Sequence, residues 1–282
     1  MSWNPWLLLT AYSVAIVAAS LLGVFVQMTV RLTHTRTQIA MSFVAGLVLG
    51  VALYHLLPHS LAVISGPQAV ATAVWWMVLG MIMMIVLLRV FQFHRHDVSE
   101  EEVRDHGEHL HHRSGAQSLK WLGISMGMGL HTLTEGAALG ASTRSVSQAD
   151  VAGETVSFAM FAAILFHKPL DTFSVLGLMR IEGVSRRAAV AINIGITLLC
   201  PLGAFLAFWG IGLLGPTEGD AVGRALAFGA GALLCVALSD LLPEIQFHGH
   251  DRIVLTSSFA LGLALAYAMH FLEQLPLHGT VR

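Results

Sequence analysis

Charged residues are scarce in this chain: Asp, Glu, Lys and Arg together make up 11% of its 282 residues. Soluble globular proteins carry roughly a quarter charged residues, so this scarcity argues against an ordinary soluble domain. No basic stripe is present, and the formal net charge of -2 argues against nucleic-acid binding. Hydrophobic residues reach 55% and the mean hydropathy is +0.72, which together predict a polytopic membrane protein.

Several sequence signals are also missing. The chain has only two cysteines, Cys200 and Cys235, and both lie in apolar segments, so we do not expect a structural disulfide. The first residues, MSWNPW, lack the basic region of a signal peptide, so the first apolar segment is expected to be retained. Neither an HExxH motif nor a P-loop occurs, which argues against a zincin protease and against direct ATP coupling.

Apolar segments long enough to cross a bilayer follow one another along the chain. A helix needs about 20 residues to span the hydrocarbon core. Barrel strands would alternate in polarity, and these segments do not, so helices are favoured. We predict an all-α polytopic membrane protein with eight transmembrane helices at 6–30, 38–64, 69–92, 118–142, 155–179, 187–214, 222–246 and 253–273.

The positions of Lys and Arg predict the orientation of these helices. With the N-terminus outside, eleven basic residues lie on the cytoplasmic side and three lie outside, while Lys168 falls within a span. This bias follows the positive-inside rule, so both termini are predicted to be outside. We therefore expect a multi-pass protein of the plasma (inner) membrane.

One long connection, 93–117, separates the third and fourth spans and contains six histidines. It is either a disordered, solvated loop or a metal-collecting cytoplasmic tether. The predicted organisation is therefore helices 1–3 in residues 1–92, this loop, helices 4–5 with a metal site in 118–180, and helices 6–8 in 181–282.

Residues 46–59 and 231–244 form an internal repeat, with eight of fourteen aligned positions identical. They belong to the second and seventh spans, which run in opposite directions, as in transporters built from inverted repeats. The repeat brings four polar residues to matching places at the helix ends. These residues are His55 and His59 toward the outside, and Asp240 and Glu244 toward the cytoplasm. We hypothesise that the histidines bind the ion as it enters and the carboxylates bind it as it leaves. The alternative is that all four are polar helix ends that meet headgroups and water.

The fourth and fifth spans each carry a histidine followed four residues later by a carboxylate: His131/Glu135 and His167/Asp171. Four residues are about one helical turn, so each pair projects from one helix face. Ionisable groups at membrane depth are costly and usually handle an ion, a proton or a substrate. Two imidazoles and two carboxylates could complete a tetrahedral set around zinc, so these four residues are predicted metal ligands.

Four neighbouring polar residues are candidates for accessory roles. Lys168 lies near the middle of its span and needs a carboxylate partner, either Glu135 or Asp171. Its ammonium is either a structural ion-pair partner or the occupant of a second cation position. Thr132 occupies the position in the fourth span that corresponds to Lys168. The remaining two are Asn193 and Cys200 in the sixth span. The cysteine is either a soft metal ligand or a packing residue.

These residues resemble the ZIP family of divalent-metal transporters, and the chain is similar to a divergent, prokaryotic-type member. The resemblance rests on layout and on the motifs HTLTEG, HKPLD, HLLP, CPLGA and DLLPE. It implies eight spans, both ends outside, and a histidine-rich loop after the third span. It also implies that the four predicted ligands occupy the family's transport-site positions in the fourth and fifth spans.

The chain departs from the family pattern at several positions. Thr132 and Thr134 stand where the family usually has Asn and Pro, Lys168 replaces a ligand of the second metal position, Cys200 stands where glutamate is common, and Asp171 is shorter than the usual glutamate. These changes weaken the second position, so we predict one transported ion per site.

The predicted function is therefore alternating-access transport of a divalent transition-metal ion, zinc above all, toward the cytoplasm. The chain is not expected to be an enzyme, and the metal would be substrate rather than cofactor. An intramembrane zinc hydrolase and a metal-sensing receptor remain the alternatives. The expected partners are the metal ion and the lipid bilayer, with no nucleic acid, and a homodimer is left open.

Overall fold

The computed structural model describes residues 4–29, 34–92, 120–146, 151–238 and 252–274. Within these ranges the regular structure is helical, without strands. The histidine-rich loop 93–117 and the residues Asp240 and Glu244 lie outside the described residues.

The described helices follow the predicted spans closely. A π-helical turn at Ala52–Leu56 joins α2 to α3 without a break, and Gly215–Thr217 forms a 3-10 turn before α8. The helices are α1 (Pro5–Thr29), α2 (His34–Val51), α3 (Leu57–Val63), α4 (Ala69–Gln92), α5 (Lys120–Ser145), α6 (Val151–Ile181), α7 (Arg186–Gly212), α8 (Glu218–Val236) and α9 (Arg252–Gln274).

Seven helical stretches of the described chain are long and apolar enough to cross a membrane. The remaining long helix, α5, has 26 residues but is less apolar. It carries the polar segment HTLTE, which holds half of the predicted metal site. The all-α membrane architecture is thus confirmed, while an eighth crossing by α5 stays a prediction.

The helices pack in two groups that do not follow chain order. In one group, α5 packs mainly against α7, and α1 packs against α6. In the other, α2 packs mainly against α9, and α4 against α8. The predicted metal-bearing helices α5 and α6 therefore share a group with α1 and α7.

Glycines set the close approach of α2 and α9. A Cβ atom at Gly46 would overlap the carbonyl oxygen of Phe259, and one at Gly262 would overlap the carbonyl oxygen of Phe43. One turn after Gly46, Gly50 lies against Ala266, so the two helices run parallel. Small residues allow this backbone contact in membranes, where lipid tails provide no hydrophobic drive between helices.

The same arrangement recurs between α4 and α8. Gly231 lies against the carbonyl of Met77, and Gly80 lies against the carbonyl of Phe228. The sequence repeat aligns Gly46 with Gly231, so repeat-related glycines make equivalent contacts in the two halves. Residues 237–238 are also π-helical, at the place that the alignment pairs with the start of the first π turn.

The relative direction of α2 and α9 limits the number of times the chain can cross the membrane between them. Helices α2 and α9 run parallel, so an odd number of membrane crossings must lie between them. With α4, α6, α7 and α8 alone between them, the two would run antiparallel. Their observed direction supports the prediction that α5 crosses as well.

Gly231→Ala is expected to destabilise the fold, because the new Cβ would force α8 away from the Met77 carbonyl. Overpacking of this kind costs about 1–3 kcal/mol. Gly195→Ala is the matched control, since no atom lies within 4 Å of its Cβ position, and it should hold or raise stability. Thermal unfolding in detergent, followed by the helical circular dichroism signal, measures both. Equal melting temperatures for the two variants would contradict the proposed need for close contact.

Candidate metal centre

The two His/carboxylate pairs meet between α5 and α6. His131 and Glu135 lie on one face of α5, and His167 and Asp171 on one face of α6. Each side chain offers one ligand atom, and these four atoms all lie within 4.8 Å of one another. The structure therefore brings the four predicted ligands together, and their role in metal binding stays a prediction.

Glu135 is the centre of the group. Its Oε1 atom lies 2.7 Å from His131 Nε2 and is hydrogen-bonded to His167 Nε2. The Oδ2 atom of Asp171 lies farther out, 3.8 Å from His131 Nε2 and 3.7 Å from His167 Nε2. Glu135 is 4% exposed, so this cluster of charged and polar atoms is desolvated. Such a cluster is costly unless its members pair with one another or with a cation.

The backbone of α6 orients one imidazole. His167 Nδ1 lies 2.6 Å from the carbonyl oxygen of Ala163, one turn earlier in the helix. A carbonyl can only accept a hydrogen bond, so Nδ1 carries the proton and donates. The Nε2 atom is then left either to donate a second proton to Glu135 or to offer its lone pair to a metal. Metal-binding histidines usually have this second-shell arrangement.

Two buried polar atoms at the site have no hydrogen-bond partner: His131 Nδ1 and Asp171 Oδ2. Buried polar atoms without partners are rare because each costs about 1–3 kcal/mol. For the carboxylate oxygen, a cation among the four ligand atoms would supply the missing partner. The donor set therefore fits a divalent metal ion of the zinc type.

Lys168 pairs with Glu135 and not primarily with Asp171. Its Nζ atom lies 2.6 Å from Glu135 Oε2 and donates to Thr132 Oγ1 at 2.8 Å, whereas Asp171 Oδ2 is 3.8 Å away. Lys168 is 1% exposed, and these contacts satisfy its buried ammonium. One oxygen of Glu135 thus faces the imidazoles and the other faces a fixed internal cation.

A small cavity of about 10 Å³, roughly the room for one water molecule, adjoins this lysine. Asn193 lines it and donates from Nδ2 to the carbonyl of Thr172 at 3.2 Å. The structure therefore places Asn193 at the same cavity as Lys168, and its accessory role stays a prediction. Sequence reasoning missed Thr172 and Thr197, which also line the cavity; hydroxyl residues in otherwise apolar spans were the available signal.

Cys200 is buried and lies outside the four-residue ligand group. Its carbonyl oxygen occupies the position where a Cβ at Gly136 would be, so α5 and α7 approach at backbone contact there. On the other side of the site, Pro169 presents its carbonyl to Gly23 of α1. These close contacts hold α5 and α6 between α7 and α1, which fixes the relative position of the two ligand pairs.

Two predicted accessory histidines lie away from this cluster. His55 is in the π turn between α2 and α3, and His59 follows one turn later in α3. His55 is buried and contacts the carbonyl of Ala266 in α9. The structure therefore places it in the other helix group.

Comparison with known proteins supplies the family. A family described as ZIP Zinc transporter matches residues 6–270. Zinc transporter ZIP9-B of Xenopus laevis is 28% identical over 179 residues, covering 62% of this chain and 54% of the relative. Zinc transporter ZIP9 of Micropogonias undulatus is 26% identical over 179 residues, covering 62% of this chain and 52% of the relative. The chain thus spans about half the length of the curated relatives that it matches. Because the family match covers nearly the whole sequence, this chain belongs to the ZIP zinc transporter family.

Proposed function

We propose that this protein moves divalent transition-metal ions, zinc above all, across a membrane toward the cytoplasm by alternating access. The observation that carries this proposal is the convergence of two imidazoles and two carboxylates between helices of a membrane protein. The family match supports it, since the matched family is named for zinc transport. The plasma (inner) membrane is the proposed location.

The spacing of the ligand atoms is near that of a tetrahedral zinc site. Four ligands at about 2.0–2.2 Å from zinc lie roughly 3.3–3.5 Å from one another. The distances of 2.7 Å between His131 and Glu135 and 3.8 Å between His131 and Asp171 bracket that value. Adjustment of these side chains would therefore complete the site, with the metal replacing the hydrogen bonds to Glu135 Oε1.

Charge favours one ion per site. With neutral imidazoles, Glu135, Asp171 and Lys168 sum to a net charge of -1, which attracts a divalent cation. One bound ion changes this sum to +1, and a second would leave a large uncompensated positive charge in a buried site. Lys168 also occupies the side of Glu135 where a second ion would need to bind. We propose that its ammonium acts as a built-in cation, held by Thr132.

We propose that the ion reaches this centre past His55 and His59 and leaves past Asp240 and Glu244. The repeat supports this route, because it puts metal-binding side chains at matching places in two halves with equivalent helix contacts. Asn193 and its cavity would hold water beside Lys168, and Cys200 would act through packing.

A zinc hydrolase is less well supported by this geometry. Hydrolysis needs an open coordination position that holds an activated water and a carboxylate free to accept its proton. Here the four proposed protein ligands would complete the set, and Glu135 is engaged by both imidazoles on one oxygen and by Lys168 on the other. A metal-sensing receptor shares the binding chemistry and differs in not moving the ion.

Zinc flux into proteoliposomes distinguishes these functions. We expect the purified protein to carry zinc down its gradient into vesicles loaded with a fluorescent chelator, and we expect no flux into protein-free vesicles. A receptor would bind zinc in equilibrium dialysis without flux. A hydrolase would turn over a peptide or ester substrate without flux, and either result would overturn the proposal.

A further inference from the structure

A second pair of histidines lies where α9 packs against the π turn between α2 and α3. His55 belongs to that turn and is 1% exposed, while His270 is a half-buried residue of α9. The centres of the two rings are 5.7 Å apart and their planes are at 83°. Neither residue belongs to the four-residue centre between α5 and α6.

The backbone of α9 determines which nitrogen of His55 is available. His55 Nε2 lies 2.9 Å from the carbonyl oxygen of Ala266, so this nitrogen donates its proton to the carbonyl. In the neutral ring, Nδ1 then carries the lone pair. This atom is buried without a hydrogen-bond partner, an arrangement that is costly unless something else fills the place. The same device, a ring proton given to a backbone carbonyl, orients His167 in the central group.

The spacing of the rings suits a shared metal ion. Two imidazoles bound to one tetrahedral zinc at about 2.0–2.1 Å have ring centres roughly 5–5.5 Å apart. The His55–His270 separation of 5.7 Å is nearer to this value than the 6.3 Å between His131 and His167 in the central group.

The local backbone also indicates a functional position. His55 lies within a five-residue π-helical turn, a form that is rare and often occurs at functional sites. His59 follows His55 by four residues on the same continuous helix.

We propose that His55 Nδ1 and His270 bind a second divalent cation of the zinc class between the π turn and α9, separate from the central site. This site adds a ligand from α9 that the sequence repeat did not reveal. The proposal does not depend on transport by the central site, since it concerns binding at a different helix contact.

Metal counting tests this proposal. The full-length protein is equilibrated with buffered zinc, passed through a desalting column and analysed for zinc per chain. We expect His55→Ala and His270→Ala each to lose one zinc, and the double variant to lose no more than either single one. His270→Cys should retain the ion, because thiolate also binds zinc. Tyr54→Phe is the matched control, because it changes the residue next to His55 and spares both imidazoles.

Unchanged zinc counts in both alanine variants would overturn the second site. Loss of two ions in the double variant would also overturn it, because the histidines would then belong to separate sites. If His55→Ala loses helical circular dichroism signal, His270→Ala and His270→Cys decide the matter, since His270 is only half buried. A separate double variant tests the central site. His131→Ala combined with His167→Ala should remove the zinc of the central site and leave the zinc at His55 and His270.

Discussion

Replacing His131 with alanine is expected to reduce zinc uptake to background. The substitution removes one of the four proposed ligand atoms and the 2.7 Å contact to Glu135 Oε1. Losing even a second-shell partner of a metal ligand typically costs about 10–100-fold in affinity or activity, so loss of a ligand should cost at least 100-fold. Asp171→Ala should have a similar effect, because Asp171 supplies the proposed ligand atom that lies 3.8 Å from His131 Nε2 and 3.7 Å from His167 Nε2.

The measurement is initial zinc flux into proteoliposomes at matched protein density. Thr134→Ala is the control: Thr134 lies between His131 and Glu135 in the same helical turn, and its hydroxyl only donates to the His131 carbonyl at 2.7 Å. This control should retain most of the flux. Uptake that survives in both His131→Ala and Asp171→Ala would remove the four-residue centre from the transport mechanism.

Replacing Lys168 with aspartate is expected to raise the number of metal ions bound at the central site from one to two. The change exchanges the internal ammonium for a carboxylate beside Glu135 Oε2, Asp171 and Thr132. The adjoining cavity gives room for a water ligand. Three carboxylates around this space would repel one another without metal, so the second ion should bind where the ammonium now lies.

This substitution should also make stability depend on metal. Breaking a buried ion pair by removing one partner costs about 3–5 kcal/mol, and zinc would recover part of that cost by neutralising the carboxylates. Elemental analysis of chains that also carry His270→Ala, which removes the second site proposed above, gives the count at the central site, and melting temperature with and without zinc gives the coupling. Lys168→Gln is the control, because it removes the charge without adding a carboxylate and should keep one ion. An aspartate variant that still binds one ion would show that Lys168 does not block a second position.

The sequence predicted the helices well because the bilayer imposes a local requirement. Every backbone group in lipid must be hydrogen-bonded within its own helix, so apolar length alone identifies a span. The third predicted span, 69–92, coincides with α4, and the fifth, 155–179, lies within Val151–Ile181. Helix α5 is the hardest to recognise by hydropathy, because the polar residues His131, Thr132, Thr134 and Glu135 replace apolar ones there.

The site was predictable in part. Spacing by four residues places His131 with Glu135, and His167 with Asp171, on one face each, because that relation lies within a single helix. The sequence did not decide which of two carboxylates, Glu135 or Asp171, is the ion-pair partner of Lys168. Glu135 is on another helix and Asp171 on the same one, and only the packing of α5 against α6 shows that Glu135 lies 2.6 Å from the ammonium.

Contacts between distant residues needed the tertiary structure. The repeat identified His55 but not His270, which meets it across 215 positions of sequence. The pairing of α2 with α9 and of α4 with α8 also does not follow from chain order. These pairings depend on which glycine faces which carbonyl, and that depends on the rotation of each helix about its axis.

By itself, the sequence determined the membrane class, the helices and which His and carboxylate residues share a helix face, because burial in lipid and the 3.6-residue turn act within one segment. The tertiary structure decided which helices adjoin, which oxygen of Glu135 faces the imidazoles, and which histidine of α9 lies beside the π turn. The physical reason is that contacts between helices depend on backbone shape at close range, and spacing within one helix carries no information about its neighbour.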